Sequence, residues 1–270
     1  MSLRILPDRV GSARRDGFDT VAMSVLETRD LVKEFAGFRA VDGVSVSLDD
    51  GKVHALVGPN GAGKTTLFHM LTGFVRPSSG RILAFGTDVA GLSPDRISRM
   101  GVARSFQITS LFERRTVLDH VVLALHVTDR VSLRFWVPES AVARYRGRAL
   151  SILDEVGLAD VAARLAGSLP YGQKRALELA LALALEPKIL LLDEPTSGMA
   201  LEDVQRTIAL IRHVRADRTV LLVEHNMGVV AELAERVIVM QQGRIIADGT
   251  YDEVRHDPAV VAAYLGQTDA

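Results

Sequence analysis

Residues 58 to 66 read Gly-Pro-Asn-Gly-Ala-Gly-Lys-Thr-Thr. Gly58, four residues, then Gly63-Lys64-Thr65 is the spacing of a P-loop, a turn whose backbone N–H groups fold inward around a phosphate chain. Gly58, Pro59, Asn60, Gly61, Ala62 and Gly63 form the cradle, and Thr66 lies at its far end. The Lys64 ammonium is suited to the β- and γ-phosphates, and the Thr65 hydroxyl to Mg²⁺. A second run, Ile189-Leu-Leu-Leu-Asp193-Glu194-Pro195, ends four aliphatic residues in two carboxylates. In that setting Asp193 is a Mg²⁺ ligand, and Glu194, facing the other way, is a base for an attacking water. Together the two runs describe hydrolysis of a nucleoside triphosphate.

The flanking residues supply the elements such a site needs. His54-Ala-Leu-Val57 is a short, largely apolar strand, and Thr66 to Leu71 continues as a helix. Gly73 is its C-terminal stop, with Pro77 following. A helix that starts at the loop turns its positive dipole end on the phosphates. Ile189 to Leu192 fits a strand buried on both faces of a parallel sheet. Open α/β sheets place their ligands at the C-terminal ends of such strands.

Between the two runs lies Leu169-Pro170-Tyr171-Gly172-Gln173, ahead of an apolar helix over 176–185. Here the chain resembles the ATP-binding cassette (ABC) family, whose signature is Leu-Ser-Gly-Gly-Gln. The resemblance covers roughly residues 24 to 266 and carries further expectations residue by residue. Gln107 matches the loop glutamine that senses Mg²⁺ and the γ-phosphate. His225, after the strand Thr219 to Val223, matches the switch histidine, and Ser197-Gly-Met-Ala200 stands at the D-loop. Phe35 sits where an aromatic stacks on adenine, with Phe38 or a core role as the competing readings. The resemblance implies that Lys64, Glu194 and His225 act in catalysis, and that Thr65, Gln107 and Asp193 hold Mg²⁺. It implies a P-loop core of mainly parallel sheet flanked by helices, an antiparallel β lobe over the adenine, and an inserted helical lobe over about 88–168. It also implies a head-to-tail dimer of identical or different cassettes, in which Gly172 and Gln173 of one face the ATP held by the other.

Two departures alter that pattern. The signature serine is Pro170, which has neither hydroxyl nor N–H, although proline suits a first helical turn and Gly172 keeps its N–H. The D-loop aspartate is Ala200, with Glu202 and Asp203 close by. The Tyr-Gly-Gln signature, the run Ala-Arg-Ser-Phe-Gln107 continuing to Leu111-Phe112, and the ending Pro258 to Gly266 resemble the ATPase subunit of branched-chain amino acid importers, or of their urea and amide relatives. An ABC protein without a permease is the alternative from another class. The resemblance implies permease subunits as partners, an extracytoplasmic solute-binding protein acting indirectly, and a peripheral place on the cytoplasmic face of a bacterial inner membrane. Residues 108 to 112 are expected to meet the permease, against the plainer reading that Leu111 and Phe112 are core.

Composition agrees with an intracellular soluble domain of 270 residues, 48% hydrophobic, with no cysteine. A formal net charge of −1 argues against broad nucleic-acid binding. No apolar run approaches the length of a membrane-spanning helix. Residues 1 to 22 alternate Arg4, Arg9, Arg14 and Arg15 with acids and small residues and read as a disordered extension, with Met23 an alternative start. A transit peptide is the competing reading, against which the acids count. Residues 23–270 read as one ABC ATPase domain. Within it, Ser140 to Val156 has helical spacing ended by Gly157, its apolar face read as Val142, Tyr145, Ala149, Leu150, Ile152, Leu153 and Val156, and Arg236–Met240 with Arg244–Asp248 reads as a hairpin at a sheet edge. Phe135 and Trp136 sit in a loop as either a contact patch or core.

Overall fold

A computed structural model describes residues 24–105, 111–128 and 139–265. The expectations for residues 1–22, Gln107 and Phe135–Trp136 lie outside the described residues.

The chain opens with two long strands, β1 (Ser24–Phe35) and β2 (Phe38–Asp49), paired antiparallel. Ala36 and Gly37 link them, both at positive φ (46° and 87°), as a two-residue hairpin turn requires to match strand twist. β4 (Ser79–Ala84) and β5 (Thr87–Asp88) extend this sheet in the order β2-β1-β4-β5. This is the expected antiparallel lobe.

A six-stranded sheet forms the core, in the order β10-β9-β3-β8-β7-β6. β3 (Val53–Val57) lies between β8 (Thr219–Val223) and β9 (Arg236–Gln241), and β7 (Ile189–Asp193) between β8 and β6 (Val102–Arg104); these pairs are parallel. β10 (Arg244–Gly249) closes the edge antiparallel to β9, the hairpin expected from sequence. Alternate residues of each inner strand go to opposite cores. Val53, Ala55, Val57, Leu190, Leu192, Val220 and Leu222 pack on one face. Leu56, Ile189, Leu191, Leu221, Val223, Ile238 and Met240 pack on the other. Both faces are therefore covered, which is why these strands read as unbroken apolar runs. Each fully buried aliphatic side chain contributes about 1.5–3 kcal/mol relative to exposure.

On one face lie α1 (Lys64–Leu71), through Leu67, Phe68, Met70 and Leu71, and α2 (Pro94–Arg99), through Ile97. On the other lie α3 (Val117–Thr128), α4 (Glu139–Glu155), α5 (Tyr171–Leu183), α6 (Leu201–Val214) and α7 (Met227–Leu233). α8 (Tyr251–Arg255) and α9 (Pro258–Leu265) end the described chain.

Three differences from the sequence reading have local causes. Within the stretch of helical period at 88–168, Val102–Arg104 is a strand of the large sheet; three residues are too few to show a period. α4 turns Tyr145, Ala149 and Leu153 inward but leaves Leu150 39% exposed. α5 begins at Tyr171 rather than at 176. Pro170 sits just before its first residue, and the Lys174 N–H donates to the Pro170 carbonyl at 3.0 Å. Gly172 and Gln173 are thus the second and third residues of the helix. Their N–H groups are among the first-turn donors that have no intrahelical partner.

Candidate nucleotide site

β3 delivers the chain to Gly58, and α1 carries it away from Gly63. The loop lies tight against its neighbours. A Cβ at Gly58 would fall 2.1 Å from the Met240 carbonyl oxygen, and one at Gly63 would fall 2.3 Å from that of Ala40. Both residues also hold positive φ (144° and 103°), so only glycine fits. Lys64 is 6% exposed. Its ammonium donates to the carbonyls of Gly58 (2.7 Å) and Pro59 (3.0 Å). Burial lowers its pKa, and the Glu194 carboxylate opposes that shift. The lysine and the carboxylate thus share one field.

β7 ends at Asp193, beside Arg104 at the end of β6. The guanidinium lies 3.3 Å from the Asp193 carboxylate. It is also stacked near Phe68 and Phe74, 5.0 and 5.2 Å from their ring centroids. Burial raises the Asp193 pKa, and Arg104 opposes the rise. In the sequence Arg104 stands out only as part of the run leading to Gln107. Its pairing spans 89 residues, and no local signal announces it.

Glu194 has φ 46°, a left-handed backbone rare for a residue with a side chain. Its N–H still donates to Val223 at 2.9 Å, so the turn stays anchored to β8. Its carboxylate oxygen lies 2.8 Å from Nε2 of His225. The structure therefore brings together two residues that the sequence assigned to one reaction. A third, missed by the sequence reading, holds them. Glu224 is 3% exposed. Its carboxylate accepts from the N–H (3.1 Å) and hydroxyl (2.6 Å) of Thr196, and from the N–H groups of His225 (3.1 Å) and Asn226 (3.4 Å). One buried side chain thus joins the turn after Glu194 to the turn that carries His225.

Phe35 is 46% exposed at the end of β1, with the Lys33 ammonium 4.8 Å from its ring centroid. Phe38, opposite it in the hairpin, is 67% exposed. Neither is a core residue. Gly172 and Gln173 share no hydrogen bond with the P-loop among the described residues. They line a cavity of about 320 Å³ with Arg175, Glu178 and Asp203. A Cβ at Gly172 would lie 3.0 Å from an Asp203 carboxylate oxygen. Ala200 immediately precedes α6.

No group of three or more His, Cys, Asp or Glu that could hold a metal occurs among the described residues.

A family model described as ABC transporter matches residues 41–197, and one described as branched-chain amino acid ATP-binding cassette transporter matches residues 244–270. The chain is 39% identical over 252 residues to a high-affinity branched-chain amino acid transport ATP-binding protein of Pseudomonas aeruginosa, covering 90% of this chain and 98% of that one. It is 36% identical over 254 residues to its counterpart by name in Escherichia coli, covering 92% and 100%. Among solved structures, it is similar to an ATP-binding cassette of an ABC transporter in its ADP conformation. The TM-score is 0.80 at 32% identity, covering 91% of this chain and all of that one.

Proposed function

Because the chain belongs to the ABC transporter family and is an ATPase, we propose that its ATP hydrolysis drives import of branched-chain amino acids through membrane permease subunits. One observation carries the reading of the reaction. Glu194 and His225 are hydrogen-bonded at 2.8 Å beside the P-loop lysine, at the ends of adjacent strands. The solute is read from the relatives' names and from the family match over 244–270.

In this reading, ATP phosphates meet the inward N–H groups from Gly58 to Thr66, with Phe35 offering its exposed ring to adenine. The Lys64 ammonium exchanges the two loop carbonyls for β- and γ-phosphate oxygens. Thr65, Asp193 and Gln107 would hold Mg²⁺, which neutralises charge building on the phosphates. The Asp193 carboxylate already draws one cation, the Arg104 guanidinium, whose place Mg²⁺ would have to take. Water attacks the γ-phosphorus as the bond to the β-phosphate oxygen breaks, and Glu194 takes the proton. His225 steadies the Glu194 carboxylate and the developing phosphoryl charge.

Gly172 and Gln173 stand apart from their own P-loop, so they serve an ATP held by a second cassette in a head-to-tail dimer. The exposed Phe112, next to the partly buried Leu111, is the surface offered to the permease. A solute-binding protein outside the membrane would deliver the amino acid. No helix among the described residues is long and apolar enough to cross a membrane, and the chain is read as peripheral, on the cytoplasmic face of the inner membrane.

Uptake of radiolabelled leucine tests the reading. Cells lacking this chain should lose high-affinity uptake, and wild type but not Glu194→Gln should restore it. Uptake that persists without the chain would overturn the solute assignment.

A further inference from the structure

The segment after Glu194 is held from two sides. On one side, buried Glu224 binds Thr196 and His225, as described above. On the other, the Tyr171 hydroxyl donates to the Ser197 carbonyl at 3.0 Å. That hydroxyl in turn accepts from Arg175 at 3.3 Å, and the Arg175 guanidinium lies 5.6 Å from the Tyr171 ring centroid. Arg175 is itself fixed, donating at 3.0 Å to Glu178, which is 1% exposed. Gly198, at φ 72°, lies beside the ring, its Cβ position 3.7 Å from the Tyr171 hydroxyl, an ordinary contact distance. The hydroxyl thus has one donor and one acceptor partner, and its direction is set.

We propose that Tyr171 is a positioning residue for ATP hydrolysis: its hydroxyl ties the first turn of α5 to the Glu194–Ser197 segment, so that this turn and the Glu194–His225 pair move as one unit. The inference rests on the reading of Glu194 as base and of the α5 turn as facing a partner's nucleotide. A phosphate drawn to the free N–H groups of α5 pulls on the residue adjacent to Gly172. The Ser197 carbonyl passes that pull to Thr196, and Glu224 passes it to His225. The links are direct hydrogen bonds joined by the short Thr196–Ser197 backbone, a contiguous path whose coupling the double-mutant cycle below measures. The signature turn therefore reports occupancy of the partner's site to the catalytic pair of its own chain.

The test uses the full-length purified chain with MgATP. Tyr171→Phe removes only the hydroxyl at a residue that is 41% exposed, so the fold should persist. Its kcat should fall about fivefold to twentyfold with KM within about twofold, as expected when a transition-state arrangement is lost rather than binding. The Hill coefficient for ATP should drop towards one, and the melting temperature should stay at the wild-type value. In a double-mutant cycle, Tyr171→Phe combined with Glu224→Gln should be no slower than the worse single variant by more than about twofold, because both act along one path. Wild-type kcat in Tyr171→Phe, or rate losses that multiply fully in the double variant, would overturn the proposal. If wild type hydrolyses ATP and Glu194→Gln does not, the reading of the site stands whatever Tyr171→Phe does. A wild-type chain without ATPase activity would remove both.

Discussion

Nε2 of His225 lies 2.8 Å from a carboxylate oxygen of Glu194, although the two sit on different turns, 31 residues apart. Glu194 reaches that position through a left-handed backbone at φ 46°. Such a conformation costs about 1–3 kcal/mol and persists where surrounding contacts over-determine it. Those contacts are the Glu194 N–H to Val223 and the four donors gathered by Glu224. The pair is thus held by protein contacts on both of its turns.

Replacing Glu194 with Gln keeps the shape of the side chain and its hydrogen bond to His225 but removes the proton acceptor. Turnover should fall by about 10² to 10⁴, the usual range for losing a general base. ATP affinity should be retained, and an ATP-dependent dimer should accumulate on a sizing column. Unchanged turnover would remove Glu194 from the role of base.

Lys64→Ala removes the cation meant for the β- and γ-phosphates. Hydrolysis should fall more than about a hundredfold, as for losing an electrostatic contact to a transferring phosphoryl group. The fold should tolerate the change. The two loop carbonyls lose a partner, at about 1 kcal/mol each, but a cation whose pKa burial already lowers is no longer enclosed. Isothermal titration with ATP and a melting curve separate the two effects.

Glu178 gives a pH signature. Burial, opposed by Arg175, raises its carboxyl from the ordinary 4.5 to about 7. The folded chain therefore holds this proton more tightly than the unfolded chain does. The stability this supplies is fully present below pH 4.5 and is lost as pH rises through 7. Glu178→Gln fixes the neutral form. Wild type should accordingly lose roughly 2–3 kcal/mol relative to that variant between pH 5 and pH 8. Urea midpoints at the two pH values measure this, and a constant difference would mean that Arg175 keeps the carboxylate charged throughout.

What was legible in the sequence was local or periodic. The P-loop, the β7 run and the β9–β10 hairpin each declare themselves within about ten residues, and buried parallel strands read as apolar runs because both faces are covered. In the sequence α5 reads as starting five residues late, at 176, because Tyr171-Gly172-Gln173 reads as part of the signature loop even with Pro170 ahead of it. Arg104 beside Asp193 and Glu224 beside Thr196 could not be read at all. Their partners lie 89 and 28 residues away, and a charged residue at a strand end looks the same in sequence whether it is solvated or pinned. The placement of Phe112 was likewise open, since an apolar residue after a loop can face either way.

The structure divides the Leu111–Phe112 pair. Leu111 packs against the main core, whereas Phe112 is 59% exposed. The Phe112 N–H donates to His120 at 2.9 Å, and its ring lies 5.8 Å from the His120 ring. Arg115, Asp119, His120, Val122, Leu123 and His126 continue the surface around a cavity of about 410 Å³, and Leu123 is itself 49% exposed. An aspartate in place of Phe112 would be solvated, with Arg115 lining the same cavity, so stability should change by less than about 0.5 kcal/mol. Basal ATPase activity should also be retained. An apolar contact with a permease would instead be replaced by a charge with no partner, which an interface core does not tolerate. The variant should therefore melt with wild type and hydrolyse ATP, yet fail to co-purify with the permease and fail to support leucine uptake. A large fall in melting temperature would return Phe112 to the core and leave the docking surface to be sought elsewhere.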